Sequence, residues 1–414
     1  MSLDFNTLLE RYADLAVRVG LNLQPGQRML VRAPIDAAPL VRLVIDRAYQ
    51  DGARFVQVIW RDDQNAVSRL RHAPRDSFTE FPTWQAKAME EYAREGAAML
   101  AILSPDPDLY TGLDSEAVAT MQRTERQQYQ PYLEHVVRST MNWLGIAVPN
   151  AAWAAKVFPD LPADQQMPEL WNTLFRLCRL DQPDPVAAWE THIAQLAQRS
   201  DYLNARQYAA LHYTAPGTDL TIGLPRGHVW KSARDTSAAG IDFTPNLPTE
   251  EVFTLPHRAQ VNGTVASTKP LNLNGALVDD FSLRFVDGRA VEVHASTGGE
   301  HLTRLIDTDE GARFLGEVAL VPHNSPIAQS GLLFYNTLFD ENASCHIALG
   351  RAYQFNLKGG EKMSEAEFQA AGGNVSIVHT DFMIGSEAMD IDGITADGQR
   401  EPVMRAGNWA FDVA

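Results

Sequence analysis

Cysteine is almost missing from this sequence: 414 residues hold only 2, Cys178 and Cys345. Thiols so few and so far apart do not make a disulfide framework, and reduced side chains in a reducing compartment are expected. Basic charge is short as well. Lys and Arg number 35 against 52 Asp and Glu, a formal net charge of −17 with a pI near 5.1. No basic surface for a phosphate backbone is in sight, which excludes a nucleic-acid partner. Long apolar runs are lacking too: the longest uncharged stretch, Ser139 to Ala155, contains Asn142, Pro149 and Asn150 and is too polar to span a bilayer. The opening residues MSLDFNTLLERYADLAVRVG carry acidic groups where an export signal needs a basic segment and an unbroken apolar stretch. A cytoplasmic protein with no membrane partner is expected.

Several short motifs are also absent. The turns RAPIDAA and SPDPDLY follow strand-like runs but hold no G-x-G-x-x-G, which argues against nicotinamide chemistry. No phosphate loop G-x-x-x-x-G-K-[ST], nucleophile elbow G-x-S-x-G or zinc helix H-E-x-x-H occurs.

What is present is a chain long enough for two domains, 45% apolar and 21% charged. Leu8, Tyr12, Leu15 and Val19 recur at helical spacing up to Gly20. QRMLVRAP, a helical APLVRLVIDRAYQDG and ARFVQVIWRDD then form a strand-helix-strand unit, and AAMLAILSPD and MNWLGIAVPN add two apolar strands. The expectation is an α/β N-terminal domain with a mostly parallel sheet, extended by helices from Met167 to Asn204. From Tyr208 short strands take over, among them ALHYTAP, DLTIGLP, HVWKSA, SLRFVDG and AVEVHAS, separated by Gly, Pro and Asp-Gly. A β-rich α+β C-terminal domain is expected over 205–414, after a first domain over 1–204.

The acidic and imidazole groups of this second half gather beside turns. Glu250 and Glu251 follow Pro248-Thr249, where a helix or turn cap would account for either. Glu317 stands among Leu315, Val318 and Leu320, a strand on which a buried carboxylate needs a partner. Glu341 and His346, five apart, share neither a helix face nor a strand face and converge only across a loop. Cys345 points away from His346 if the segment is extended, as a packed thiol. His379 and Asp381 share one face of a strand-like run, suited to a metal or to a hydrogen-bonded pair. Four carboxylates and two imidazoles suit two divalent ions, zinc first, with cobalt, manganese or magnesium as alternatives.

At these residues the sequence resembles the M29 metallopeptidases. YADLAVRVGLNLQPGQRMLVRAP, GARFVQVIWRDD and DPVAAWETH look like that family's first domain. NLPTEEVFT, GTVASTKPL, LGEVALVP, ENASCHIALGRAY and HTDFMIGSEAMDIDG look like its metal-site segments in order. The resemblance implies metal ligands Glu250, Glu317, Glu341, His346, His379 and Asp381. It also implies a homodimer and release of N-terminal residues from short peptides, with broad side-chain preference. His257 and Thr380 depart from the family pattern without touching a ligand. On this reading Glu251 is the general base and Tyr353 donates to the oxyanion; Glu317→Gln then loses more metal than Glu251→Gln. Hydrolysis of another amide or ester, or peptide binding without turnover, are the alternatives.

Overall fold

The computed structural model describes residues 3–273 and 276–413. Packing divides the chain into two compact units, Met1–Thr191 with Arg234–Pro248, and His192–Ala233 with Thr249–Ala414. Asn204, where the sequence suggested a boundary, lies inside the helix Pro185–Arg206. The return of residues 234–248 to the first unit is a pairing event with no local sequence signal.

Four strands form the sheet of the first unit: β1 (Arg28–Pro34), β2 (Phe55–Arg61), β3 (Ala98–Leu103) and β4 (Trp143–Ala147), ordered β2-β1-β3-β4. All three pairings are parallel; β1, β3 and β4 are largely buried, as near-continuous apolar runs require of strands covered on both faces, while the edge strand β2 leaves Phe55 and Trp60 exposed. The Tyr12 hydroxyl, buried on the opening helix Phe5–Leu15, donates to the Ala147 carbonyl at 2.9 Å and accepts the Ala147 amide at 3.3 Å. It thereby ties that helix to the end of β4. Buried Asn142 donates to the Leu21 carbonyl at 2.7 Å and accepts from Gln27 at 2.6 Å, so its polar atoms are satisfied in the core. Residues 245–247 run beside β4: the Gly145 amide donates to Pro245 at 2.7 Å and the Leu247 amide to Gly145 at 3.2 Å.

The second unit is built on antiparallel sheets. One, nine-stranded among the described residues, includes Ala210–Ala215, Thr218–Gly223, Val261–Ala266 and the hairpin of Ala276–Val286 with Arg289–Thr297. HVWKSA is not one of its strands. A turn in which the His228 amide donates to the Pro225 carbonyl interrupts the chain, leaving only isolated bridges, His228 to Leu357 and Lys231 to Phe253. A smaller sheet joins four strands in the order His379–Met383, His346–Gly350, Leu315–Leu320, Val252–Thr254. The parallel first unit and strand-rich second unit are the fold class expected, and the smaller sheet carries the candidate residues.

Candidate metal centre

Register decides which side chains of the small sheet meet. Directly paired residues share a face, as do alternate residues along one strand. Phe253 pairs Ala319, which pairs His346, which pairs Met383; Glu317 pairs Ala348, which pairs Asp381; Gly350 pairs His379. One face therefore presents Glu317, His346, His379 and Asp381, with Glu251 brought onto it two residues before Phe253. Between them stand Ala319, Ala348 and Gly350, whose small size leaves room above the sheet. The other face presents Val252, Thr254, Val318, Ile347 and Phe382 to the core.

A bulge makes this possible. Leu315 pairs Leu349, yet Glu317 pairs Ala348, so Gly316 is the extra residue. In a regular strand with Gly316 paired, Leu315 and Glu317 would share a face; with the bulge Leu315 packs in the core and Glu317 turns to the site. Only glycine fits, because a Cβ at 316 would lie 2.2 Å from the Arg351 carbonyl oxygen and 2.4 Å from that of Gly350.

The donor atoms converge in two groups, Glu251 with Glu317 and His346, and Glu317 with His379 and Asp381. His346 Nε2 is 3.3 Å from Glu251 Oε2 and 3.6 Å from Glu317 Oε1. His379 Nε2 is 3.6 Å from Glu317 Oε2 and 3.5 Å from Asp381 Oδ1. These separations are longer than ordinary N–H···O bonds. They suit two ligands about 2.0–2.1 Å from one tetrahedral ion, which sit roughly 3.3 Å apart. Both imidazoles face their backbone with the other nitrogen: His346 Nδ1 lies 3.2 Å from the Ser344 carbonyl and His379 Nδ1 2.8 Å from that of Arg351. A carbonyl only accepts, so Nδ1 of each ring carries a proton, and Nε2 is the nitrogen directed at the carboxylates, the one that would bind a cation on losing its own proton. Glu251 Oε2 and Asp381 Oδ1 are buried with no hydrogen-bond donor. Acceptor oxygens left so are what a cation satisfies.

Not every residue expected at the site arrives there. Glu317, His346, His379 and Asp381 come together. Glu250 does not: its carboxylate, 3% exposed, lies 3.3 Å from His192 Nε2, His192 also meets the Thr249 carbonyl at 2.9 Å, and the Glu250 amide donates to Asn342 at 2.7 Å. The adjacent Glu251 occupies the position instead, because consecutive side chains of extended backbone point to opposite faces. The alternation in Glu250-Glu251-Val252-Phe253-Thr254 held that signal, since Val252 and Thr254 are the core residues. Glu341, at the head of the turn Glu341–Ala343, belongs to neither group but is crowded electrostatically by Glu251, Asp381 and Glu317. His192, half-buried on a helix of mixed polarity, had no legible signal. Cys345 faces away from His346, its thiol donating to the Val321 carbonyl at 3.3 Å, and His257 packs under Gly372.

Residues 5–409 match the family described as thermophilic metalloprotease (M29). The chain belongs to the M29 metalloprotease family. It is 51% identical over 406 residues to aminopeptidase 2 of Geobacillus stearothermophilus, covering 98% of each chain. It is 48% identical over 405 residues to aminopeptidase T of Thermus thermophilus, covering 98% of this chain and 99% of that one. A solved structure titled wild-type AmpT from Thermus thermophilus superposes with a TM-score of 0.94 at 47% identity, over 99% of this chain and 100% of that one. The metal-dependent aminopeptidase expected from the sequence agrees with this family and these relatives.

In this M29 metalloprotease the charges of the site are interlocked. Burial raises the Glu317 carboxyl, opposed by the His346 contact and reinforced by Asp381. Burial also raises Glu341 well above the usual range, with Glu251 and Asp381 adding to it. For His379 burial works against the imidazolium, but Asp381 and Glu317 outweigh it and lift the ring to about 10. Burial and then Glu317 and Asp381 keep the Tyr353 hydroxyl protonated far past neutrality, and its ring lies 4.9 Å from that of His379.

Proposed function

We propose that this chain releases N-terminal residues from short peptides at a pair of divalent ions. Glu251, Glu317 and His346 would hold one, and Glu317, His379 and Asp381 the other. Glu317 belongs to both groups, its Oε1 3.6 Å from His346 Nε2 and its Oε2 3.6 Å from His379 Nε2. The observation that carries this reading is that both histidines commit Nδ1 to a backbone carbonyl and direct Nε2 into the carboxylates. Mixed nitrogen and oxygen donors suit zinc first, then cobalt or manganese.

Bound there, the ions supply an acidified water and a polarised scissile carbonyl. The protein supplies the rest. Glu341, outside both groups yet within their field, takes over the role the sequence suggested for Glu251, accepting the water's proton and passing it to the leaving amine. The Tyr353 hydroxyl remains a donor and stabilises the oxyanion. Short peptides as substrates, a homodimer and a cytoplasmic location complete the reading; no helix among the described residues is long and apolar enough to cross a membrane.

The test strips the protein with a chelator and assays an unblocked and an N-acetylated dipeptide with Zn²⁺, Co²⁺ or Mn²⁺ restored, alongside metal analysis. Two ions per chain and cleavage of the unblocked peptide alone are expected. Equal cleavage of the blocked peptide favours a more general amide hydrolase, and turnover without metal overturns the proposal. Glu341→Gln should keep both ions and lose turnover; loss of metal would return Glu341 to the ligands.

A further inference from the structure

The face that carries the donor atoms also carries apolar surface. Phe253 lies two residues beyond Glu251 on that face, half-buried, its amide and carbonyl both bonded at 2.9 Å to Lys231. Its ring meets Phe355 edge to face at 6.2 Å between centroids. Phe355 stacks on Tyr353 at 5.1 Å with planes 8° apart, and Tyr353 meets His379 at 4.9 Å. Phe253, Phe355 and Tyr353 thus form a continuous aromatic wall from the Glu251 side of the centre to the His379 side. All three are half-buried, with part of their surface still accessible, beside carboxylates that would sooner face water or a cation.

We propose that Phe253 and Phe355 form the subsite for the side chain of the substrate's N-terminal residue, and that the enzyme selects bulky apolar side chains there. The inference rests on the metal-centre reading. If the free amine and the scissile carbonyl are held at the donor groups, the side chain between them leaves the same α-carbon and must lie against the nearest surface. On this face that surface is aromatic, since Ala319, Ala348 and Gly350 offer almost none. Aromatic and branched aliphatic groups gain both area and ring contacts. Charged side chains of either sign would lose hydration against this aromatic surface without gaining a partner in it.

The experiment measures kcat/KM for Phe-Ala, Leu-Ala, Gly-Ala and Glu-Ala with native protein and the variants Phe355→Ala, Phe355→Leu and Phe253→Leu, with bound metal quantified in each. Native protein should favour Phe-Ala over Gly-Ala by about tenfold or more, the scale on which apolar pockets discriminate, with Glu-Ala poorest. Phe355→Ala should lower that ratio about tenfold at unchanged metal content. Phe355→Leu, the gentler change, should lower the Phe-Ala to Leu-Ala ratio. Cleavage with the same ratios in native protein and variants overturns the subsite alone. Native, metal-loaded protein that cleaves none of the four overturns the metal-centre reading as well.

Discussion

Glu250 and Glu251 are neighbours with the same side chain, so substituting each by Gln isolates direction from chemistry. Glu251 lies in a group whose donor atoms are within 4.8 Å of one another. Two carboxylate charges at that separation repel by about 3.5 kcal/mol at an effective dielectric of about 20, and a divalent ion reverses the sign of that interaction. Glu251→Gln removes one of these charges from the ion. Removing a group that merely orients a ligand costs roughly ten- to a hundredfold in metal affinity, and loss of a ligand should cost at least the upper end. At metal one hundred times the native dissociation constant, binding stabilises the fold by about 2.7 kcal/mol; a hundredfold weaker site retains about 0.4 kcal/mol. Glu250 points to His192, and Glu250→Gln should keep most of the metal-induced stabilisation. The assay is thermal unfolding against zinc concentration, with bound zinc measured after gel filtration. Metal loss in Glu250→Gln equal to or exceeding that in Glu251→Gln would refute the face assignment. Glu317→Gln, which removes the carboxylate common to both groups, should lose at least as much metal as Glu251→Gln.

Gly316→Ala should collapse the bulge, because its Cβ meets two backbone carbonyls. Metal content and turnover should both fall sharply, with a loss of about 1–3 kcal/mol in chemical unfolding from overpacking. Ala348→Leu keeps the strand pairing but fills the space between Glu317 and Asp381; circular dichroism should be native while bound metal drops, and full occupancy would contradict the register. Asp309 accepts bonds from the Ser376 hydroxyl at 2.8 Å and the Ile377 amide at 2.7 Å, bracing the approach to His379. Burial raises its carboxyl, but these bonds, led by the Ile377 amide, outweigh that and hold it below the ordinary value. A depressed carboxyl contributes stability that is present above the unfolded value, near 3.9, and is lost as pH falls through the folded one. Asp309→Ala should therefore destabilise by about 1–3 kcal/mol at pH 7. Urea unfolding should show the gap closing below pH 4; a gap independent of pH would contradict the charge.

Much of the architecture was legible because it is periodic. The apolar runs at Ala98–Leu103 and Trp143–Ala147 are continuous, and strands covered on both faces need that pattern. The pairing of His379 with Asp381 followed from the two-residue repeat, which any strand obeys whatever its neighbours. HVWKSA looked extended by composition, yet the turn at Pro225 to His228 took its backbone out of the sheet. Family resemblance supplied the residue types of the centre and pointed to Glu250, whereas the donor group holds the carboxylate of Glu251, because likeness between sequences does not say which way a side chain points.

By itself, the sequence determined an acidic, cysteine-poor α/β and β-rich chain with the donor types of a metal site and the family to which it belongs. Those are properties of composition and local pattern. Tertiary structure decided which face of the alternation over 250–254 meets His346, and so that Glu251 rather than Glu250 does; it alone decided that Gly316 turns Glu317 toward the site and that Phe253 and Phe355 stand beside it. Each depends on strand register, which is fixed by pairing residues more than 20 positions apart in the chain, and a one-residue change in register moves a side chain to the other face.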